Sequence, residues 1–76
     1  MKKITVYTTD QCAYCALVKK YYTLKGIDYE VVNLSEQPER RQEAINLSGA
    51  MTVPITTNGQ ETVVGWNPAR LIQLAA

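Results

Sequence analysis

Two sulfur atoms set the chemistry open to this chain. Cys12 and Cys15 are its only cysteines, spaced C-x-x-C in Asp10-Gln11-Cys12-Ala13-Tyr14-Cys15, and histidine is absent. Without histidine, the commonest general base and the commonest metal ligand are both missing. A close cysteine pair can exchange disulfides: a thiolate attacks a substrate disulfide, a mixed disulfide forms, and the second thiol releases the reduced product. The attacking sulfur must be ionised, and an unperturbed cysteine is mostly protonated at neutral pH. A helix N-terminus corrects this, because free N–H groups and the helix dipole favour negative charge. Thiols so placed ionise at roughly pH 3.5–7.5. Cys12 is therefore expected to be the nucleophile, with the N–H groups of Tyr14 and Cys15 as donors to its sulfur. Cys15, one turn deeper, is expected to be the resolving thiol.

Competing readings are limited by ligand count. Tetrahedral zinc needs four ligands, and two cysteines supply half of them. A metal-bridged dimer, with zinc or an iron–sulfur cluster, is the alternative from another class, and a non-enzymatic adaptor is a third. Net charge is +1, from 8 Lys plus Arg against 7 Asp plus Glu, and the apolar share is 46%. That balance argues against nucleic acid or an anionic membrane as partner and for an ordered globular chain. No stretch reads as a signal peptide or a membrane span. A cytoplasmic protein of one domain, residues 1–76, is expected. There a close cysteine pair is more often redox-active or metal-binding than structural.

The elements that must position the dithiol follow from pattern. Ile4-Thr5-Val6-Tyr7-Thr8 reads as a strand. From Cys12 the period changes, and Tyr14, Leu17, Val18, Tyr21 and Leu24 are expected on one buried helix face, closed by Gly26. Residues 29–34 read as a second strand, parallel to the first across the helix. Ser35 is expected to cap a second helix, with Pro38 in its first turn. In it Glu39, Arg40, Arg41, Gln42 and Glu43 are solvated, Ala44, Ile45 and Leu47 pack, and Gly49 stops it. Ile55-Thr56-Thr57 and residues 60–64 form a hairpin about a two-residue Asn58-Gly59 turn. Asn67-Pro68 opens a last helix with Leu71, Ile72 and Leu74 inward. The order is β-α-β-α-β-β-α.

With C-x-x-C after the first strand and Thr52-Val53-Pro54 before a hairpin, the sequence resembles the glutaredoxins over nearly its whole length. The most specific pieces are Tyr7-Thr8-x-x-x-Cys12-Ala13-Tyr14-Cys15, Thr52-Val53-Pro54 and the segment around Gly65. The resemblance implies an α/β thioredoxin/glutaredoxin fold, a four-stranded mixed sheet flanked by three helices. It implies a thiol–disulfide oxidoreductase with no bound cofactor beyond the Cys12–Cys15 disulfide. It also implies that Pro54 is cis and that the backbone of Thr52 and Val53 pairs with a bound peptide or glutathione.

Glutathione-dependent members usually carry proline at Ala13, lysine at Thr9, and a Gly-Gly-x-Asp-Asp-like segment in place of Val64-Gly65-Trp66-Asn67-Pro68. The Gly65-Trp66-Asn67-Pro68 stretch looks more like the Ser-Gly-Phe-Arg-Pro segment of NrdH redoxins. Those donate electrons to ribonucleotide reductase and are recharged by thioredoxin reductase. Val64, Trp66 and Asn67 depart from that pattern, and Tyr14 and Thr52-Val53 are glutaredoxin-like. The resemblance thus favours an NrdH-like monomer, with glutathione as co-substrate the alternative. Tyr14, Gly65, Trp66 and Asn67 join Thr52, Val53 and Pro54 as candidate substrate contacts. Tyr14 reads equally as helix-stripe packing, and Trp66 as cover for the sheet edge.

Overall fold

A computed structural model describes residues 3–50 and 52–76; the basic Met1-Lys2 start lies outside them. The elements are β1 (Ile4–Thr8), α1 (Ala13–Leu24), β2 (Tyr29–Asn33), a 3-10 turn (Pro38–Arg40) running into α2 (Arg41–Ser48), β3 (Ile55–Thr57), β4 (Thr62–Val64) and α3 (Pro68–Leu74). The sheet order is β2-β1-β3-β4. β1 pairs parallel with β2, while β3 runs antiparallel to both β1 and β4. The expected element order and four-stranded mixed sheet are present.

Alternation along β1 divides the core. Ile4 and Val6 join Val18, Tyr22, Val63, Leu71 and Leu74 under α1 and α3. Tyr7 joins Val32, Leu34, Ala44 and Ile55 on the α2 side. Successive strand side chains point to opposite faces, so one five-residue strand serves both clusters.

α1 buries Cys15, Val18 and Tyr22; of the expected stripe only Val18 is among them. Tyr14, Leu17 and Leu24 are exposed, and Tyr21 is half-buried. The two stripes have the same period and differ by about one residue of rotation. Cys15 entering the core, and the Tyr22 hydroxyl donating to the Leu71 carbonyl at 2.8 Å, select the phase. The helix ends in a Schellman motif, with Ile27 N–H donating to Tyr22 C=O and Gly26 N–H to Thr23 C=O. Gly26 takes φ +71°, which only glycine adopts without a Cβ penalty.

Three further expectations are corrected. Ser35 does not cap α2; its hydroxyl accepts from Asp10 N–H, and Gln37 begins the 3-10 turn without a side-chain cap. Of the residues expected to pack on α2 and α3, Leu47 and Ile72 are exposed, and Ala44, Leu71 and Leu74 supply the contact. The hairpin is present, but Thr57 pairs with Thr62, so residues 58–61 connect the strands. Asn58 is buried at the turn's base instead of exposed at its tip. Its Oδ1 accepts from Gln60 and Glu61 N–H, and its Nδ2 donates to the Leu74 carbonyl.

Candidate redox site

The segment from Thr8 to Cys12 is held from the β2 side. Leu34 N–H donates to Thr8 C=O at 2.7 Å, and Asp10 N–H donates to Ser35 Oγ at 3.1 Å. Asn33 Nδ2 donates to Asp10 Oδ1 at 2.8 Å, and Asn33 Oδ1 accepts from Ser35 N–H at 2.9 Å. This small ring of hydrogen bonds sets the entry into α1.

Cys12 is the N-cap of α1, in extended conformation, and Cys15 N–H donates to its sulfur at 3.1 Å. Of the two donors expected at that sulfur, Cys15 N–H makes the contact. Cys12 and Cys15 are joined as a disulfide, with Cα atoms 5.2 Å apart. Cys12 is half-buried and Cys15 is 1% exposed. A thiolate from outside can therefore reach the Cys12 sulfur and not that of Cys15. In reverse, the electron pair left on Cys12 by disulfide cleavage sits where an N–H already points. The two sulfurs are thus unequally open to solvent, the outer one accessible and the inner one enclosed by the core.

The Val53–Pro54 peptide bond is cis. Pro54 is buried, and its carbonyl accepts from Gly65 N–H at 2.8 Å. This bond brings the 65–67 segment beside the proline, and Gly65 meets it with φ +83°. Trp66 is 37% exposed and packs edge-on against Tyr21, ring centres 5.7 Å apart. The tryptophan thus rests on α1 while part of its ring stays open to solvent. Asn67 Oδ1 accepts from Arg70 N–H as the cap of α3, so that oxygen is occupied. Tyr14 stands on the rim, 58% exposed. Thr52 is exposed and Val53 packs against the Tyr7 cluster.

A small cavity of about 50 Å³ is lined by Thr9, Thr52 and Val53 on one side and by Arg41, Ala44 and Ile45 of α2 on the other, with Leu34, Ala50 and Ile55 completing it. Arg41 is its only charged lining residue. It is exposed, as read from sequence, and it also borders this cavity, a proximity that only the fold reveals. A larger hollow, about 430 Å³, lies around Lys3, Gly26, Ile27 and Ala75 and includes neither cysteine. Among the described residues no group of three or more His, Cys, Asp or Glu comes together.

Sequence reading also missed a polar chain behind the cavity. The buried Tyr7 hydroxyl donates to Glu43 Oε2, and Arg40 grips the same carboxylate through Nε at 3.2 Å and Nη2 at 2.6 Å. Burial, then the Glu43 contact, pushes the Tyr7 phenol up to about 12. Arg40 first, then Tyr7, holds the Glu43 carboxyl below its usual range. Separation of 36 residues hides this pair from any local pattern.

A four-stranded mixed sheet between helices, a capping cysteine, a buried partner and a cis-proline together define a dithiol–disulfide protein of the thioredoxin fold. Residues 4–63 match the glutaredoxin family model. The chain belongs to the glutaredoxin family, whose members are thiol–disulfide oxidoreductases. It is 32% identical over 72 residues to the glutaredoxin-like protein NrdH of Lactococcus lactis, covering 95% of this chain and 99% of that one. To a Pseudomonas aeruginosa glutaredoxin it is 31% identical over 75 residues, covering 99% and 89%. Its structure superposes on the NrdH-redoxin of Escherichia coli with a TM-score of 0.84 at 28% identity, covering 97% of this chain and 96% of that one.

Proposed function

We propose that this chain is an NrdH-like electron carrier that reduces protein disulfides, with ribonucleotide reductase as recipient and thioredoxin reductase as source. The observation that carries the dithiol step is the Cys12 sulfur, reachable and hydrogen-bonded at a helix N-terminus, over a buried Cys15. Cys12 attacks the substrate disulfide and expels one substrate thiolate, which takes up a proton. Cys15 loses its proton and attacks Cys12, releasing the second substrate thiol and leaving Cys12–Cys15 oxidised. Two electrons pass from the dithiol to the substrate, and the reductase restores them. The backbone of Thr52 and Val53 aligns the substrate, while Tyr14 and Trp66 border it. The carrier works as a cytoplasmic monomer of one domain, without nucleic acid or membrane. Among its described residues no helix is long and apolar enough to cross a bilayer.

The branch rests on residues 9 and 64–68. Threonine stands where glutathione-dependent members keep lysine, and Val64-Gly65-Trp66-Asn67-Pro68 carries no acidic group. Each missing charge-assisted contact forgoes ~1.5–3 kcal/mol of glutathione binding. One observation favours the second reading, glutathione as co-substrate: the exposed Arg41 borders the cavity that Thr9 and Thr52 also line. A coupled assay separates them. The oxidised protein is given NADPH with thioredoxin reductase, or NADPH with glutathione and glutathione reductase. Turnover with the first system and little with the second is expected. Turnover with glutathione alone refutes the NrdH-like assignment.

A further inference from the structure

α2 has little apolar anchorage. Of its eight residues only Ala44 is buried, yet the helix supplies one wall of the cavity beside Thr52 and Val53. Beside the Ala44 contact, a polar chain ties it to the sheet. The Tyr7 hydroxyl, at the end of a side chain 3% exposed, donates to Glu43, and Arg40 at the helix entrance fixes that carboxylate through two nitrogens. The Tyr7 ring also belongs to the cluster against which Val53 packs, and Tyr7 lies opposite Ile55 on β3. One residue therefore touches both supports of the cavity, the strand that follows the cis-proline and the helix across from it. From these contacts we propose that Tyr7, through Glu43 and Arg40, is a positioning residue that sets the width of the substrate groove. It holds α2 against the Thr52–Val53 segment and so governs recognition of peptide disulfides without entering the sulfur chemistry.

The inference rests on the electron-carrier reading, and the test keeps the two apart. Tyr7→Phe removes one oxygen and leaves the ring in place. The wild type, Tyr7→Phe and Glu43→Gln are compared with two oxidants, insulin and the small 2-hydroxyethyl disulfide, with dithiothreitol as the electron source. Hydrogen exchange is followed over 41–50 and over α1. If releasing the latch leaves the closed groove about one-tenth populated, apparent affinity falls by the same factor. For Tyr7→Phe the expected result is a KM for insulin raised about tenfold with kcat unchanged, hydroxyethyl disulfide kinetics unchanged, and α2 amides exchanging about tenfold faster while α1 amides do not. Glu43→Gln, which keeps an acceptor for Tyr7 but loses the Arg40 ion pair, falls between. An insulin KM within about twofold of wild type overturns the inference, given the population shift it requires. So does a loss shared equally by both oxidants with α1 exchange also accelerated, since that is general destabilisation. Wild-type protein inert toward both oxidants overturns the electron-carrier reading, and this inference with it.

Discussion

Asn58 ties the hairpin to α3 through its side chain. Its side chain makes three hydrogen bonds: Nδ2 to the Leu74 carbonyl at 3.1 Å, and Oδ1 from Gln60 and Glu61 N–H at 2.9 and 2.8 Å. The Leu74 carbonyl is among the last of α3 and has no partner within the helix, so Asn58 satisfies a group that helix geometry leaves open. It also sits 8% exposed, where water replaces it poorly. At about 1 kcal/mol for each neutral bond, Asn58→Ala should cost ~2–4 kcal/mol. A chain of 76 residues has ~4–11 kcal/mol of stability in all. With a urea dependence near ~1 kcal/mol per molar, the midpoint should fall by about 2 M or more. Asn58→Asp keeps the acceptor for the two turn amides, loses the donor, and turns a carboxylate toward the Leu74 carbonyl. It should unfold between wild type and Asn58→Ala at pH 7. Urea unfolding followed by circular dichroism measures all three. An Asn58→Ala midpoint within ~0.5 M of wild type refutes the claim that this side chain ties the hairpin to α3.

The remaining predictions concern Thr56, Tyr7, Tyr22 and Glu43. Thr56 Oγ1 is fully buried with no partner among the described residues, so Thr56→Val should raise stability by about 1 kcal/mol in the same urea experiment; a fall shows the hydroxyl is bonded. Tyr7 and Tyr22 are both pushed up to about 12, chiefly by burial. In an ultraviolet titration two of the five tyrosines should ionise late. Because the folded state holds these protons more tightly, their contribution is complete below pH ~10 and is lost as pH rises towards 12. Ionisation of Tyr7 near its ordinary value of 10.0 contradicts its contact with Glu43. Glu43 gives the opposite limb: its lowered carboxyl contributes above its ordinary value of 4.5 and loses that contribution as pH falls below it. Glu43→Gln should flatten the acid side of the stability curve, and an unchanged acid limb counts against the Arg40–Glu43–Tyr7 chain.

What could be read in the sequence, and what could not, divides by range. Cys12 and Cys15 share one helical turn, so their spacing and the change of period at Cys12 were enough to locate the dithiol. The strands and helices were legible for the same reason. The rotation of α1 was not, because Tyr14, Leu17, Val18, Tyr21 and Leu24 give as good a stripe as Cys15, Val18 and Tyr22, with Val18 common to both. Only tertiary contacts such as Tyr22 with Leu71 decide between them. Asn58-Gly59 marked the hairpin, but the Asn58 side chain bonding back to its own turn and to Leu74 changed the position of the turn's tip. Ser35 looked like a cap and instead braces Asp10, 25 residues away. Arg41 and Glu43 read as solvent-facing charges. Their roles depend on Thr9, Thr52 and Tyr7, which pattern alone does not bring near them.

The central claim is that the two sulfurs are unequal, Cys12 meeting the substrate and Cys15 resolving. The most direct test is intact mass spectrometry with peptide mapping of reduced Cys15→Ser and reduced Cys12→Ser, each mixed with a peptide disulfide. The account predicts a stable mixed disulfide on Cys12 in the first and none accumulating on Cys15 in the second. Equal adducts on both, or an adduct only on Cys15, contradict it.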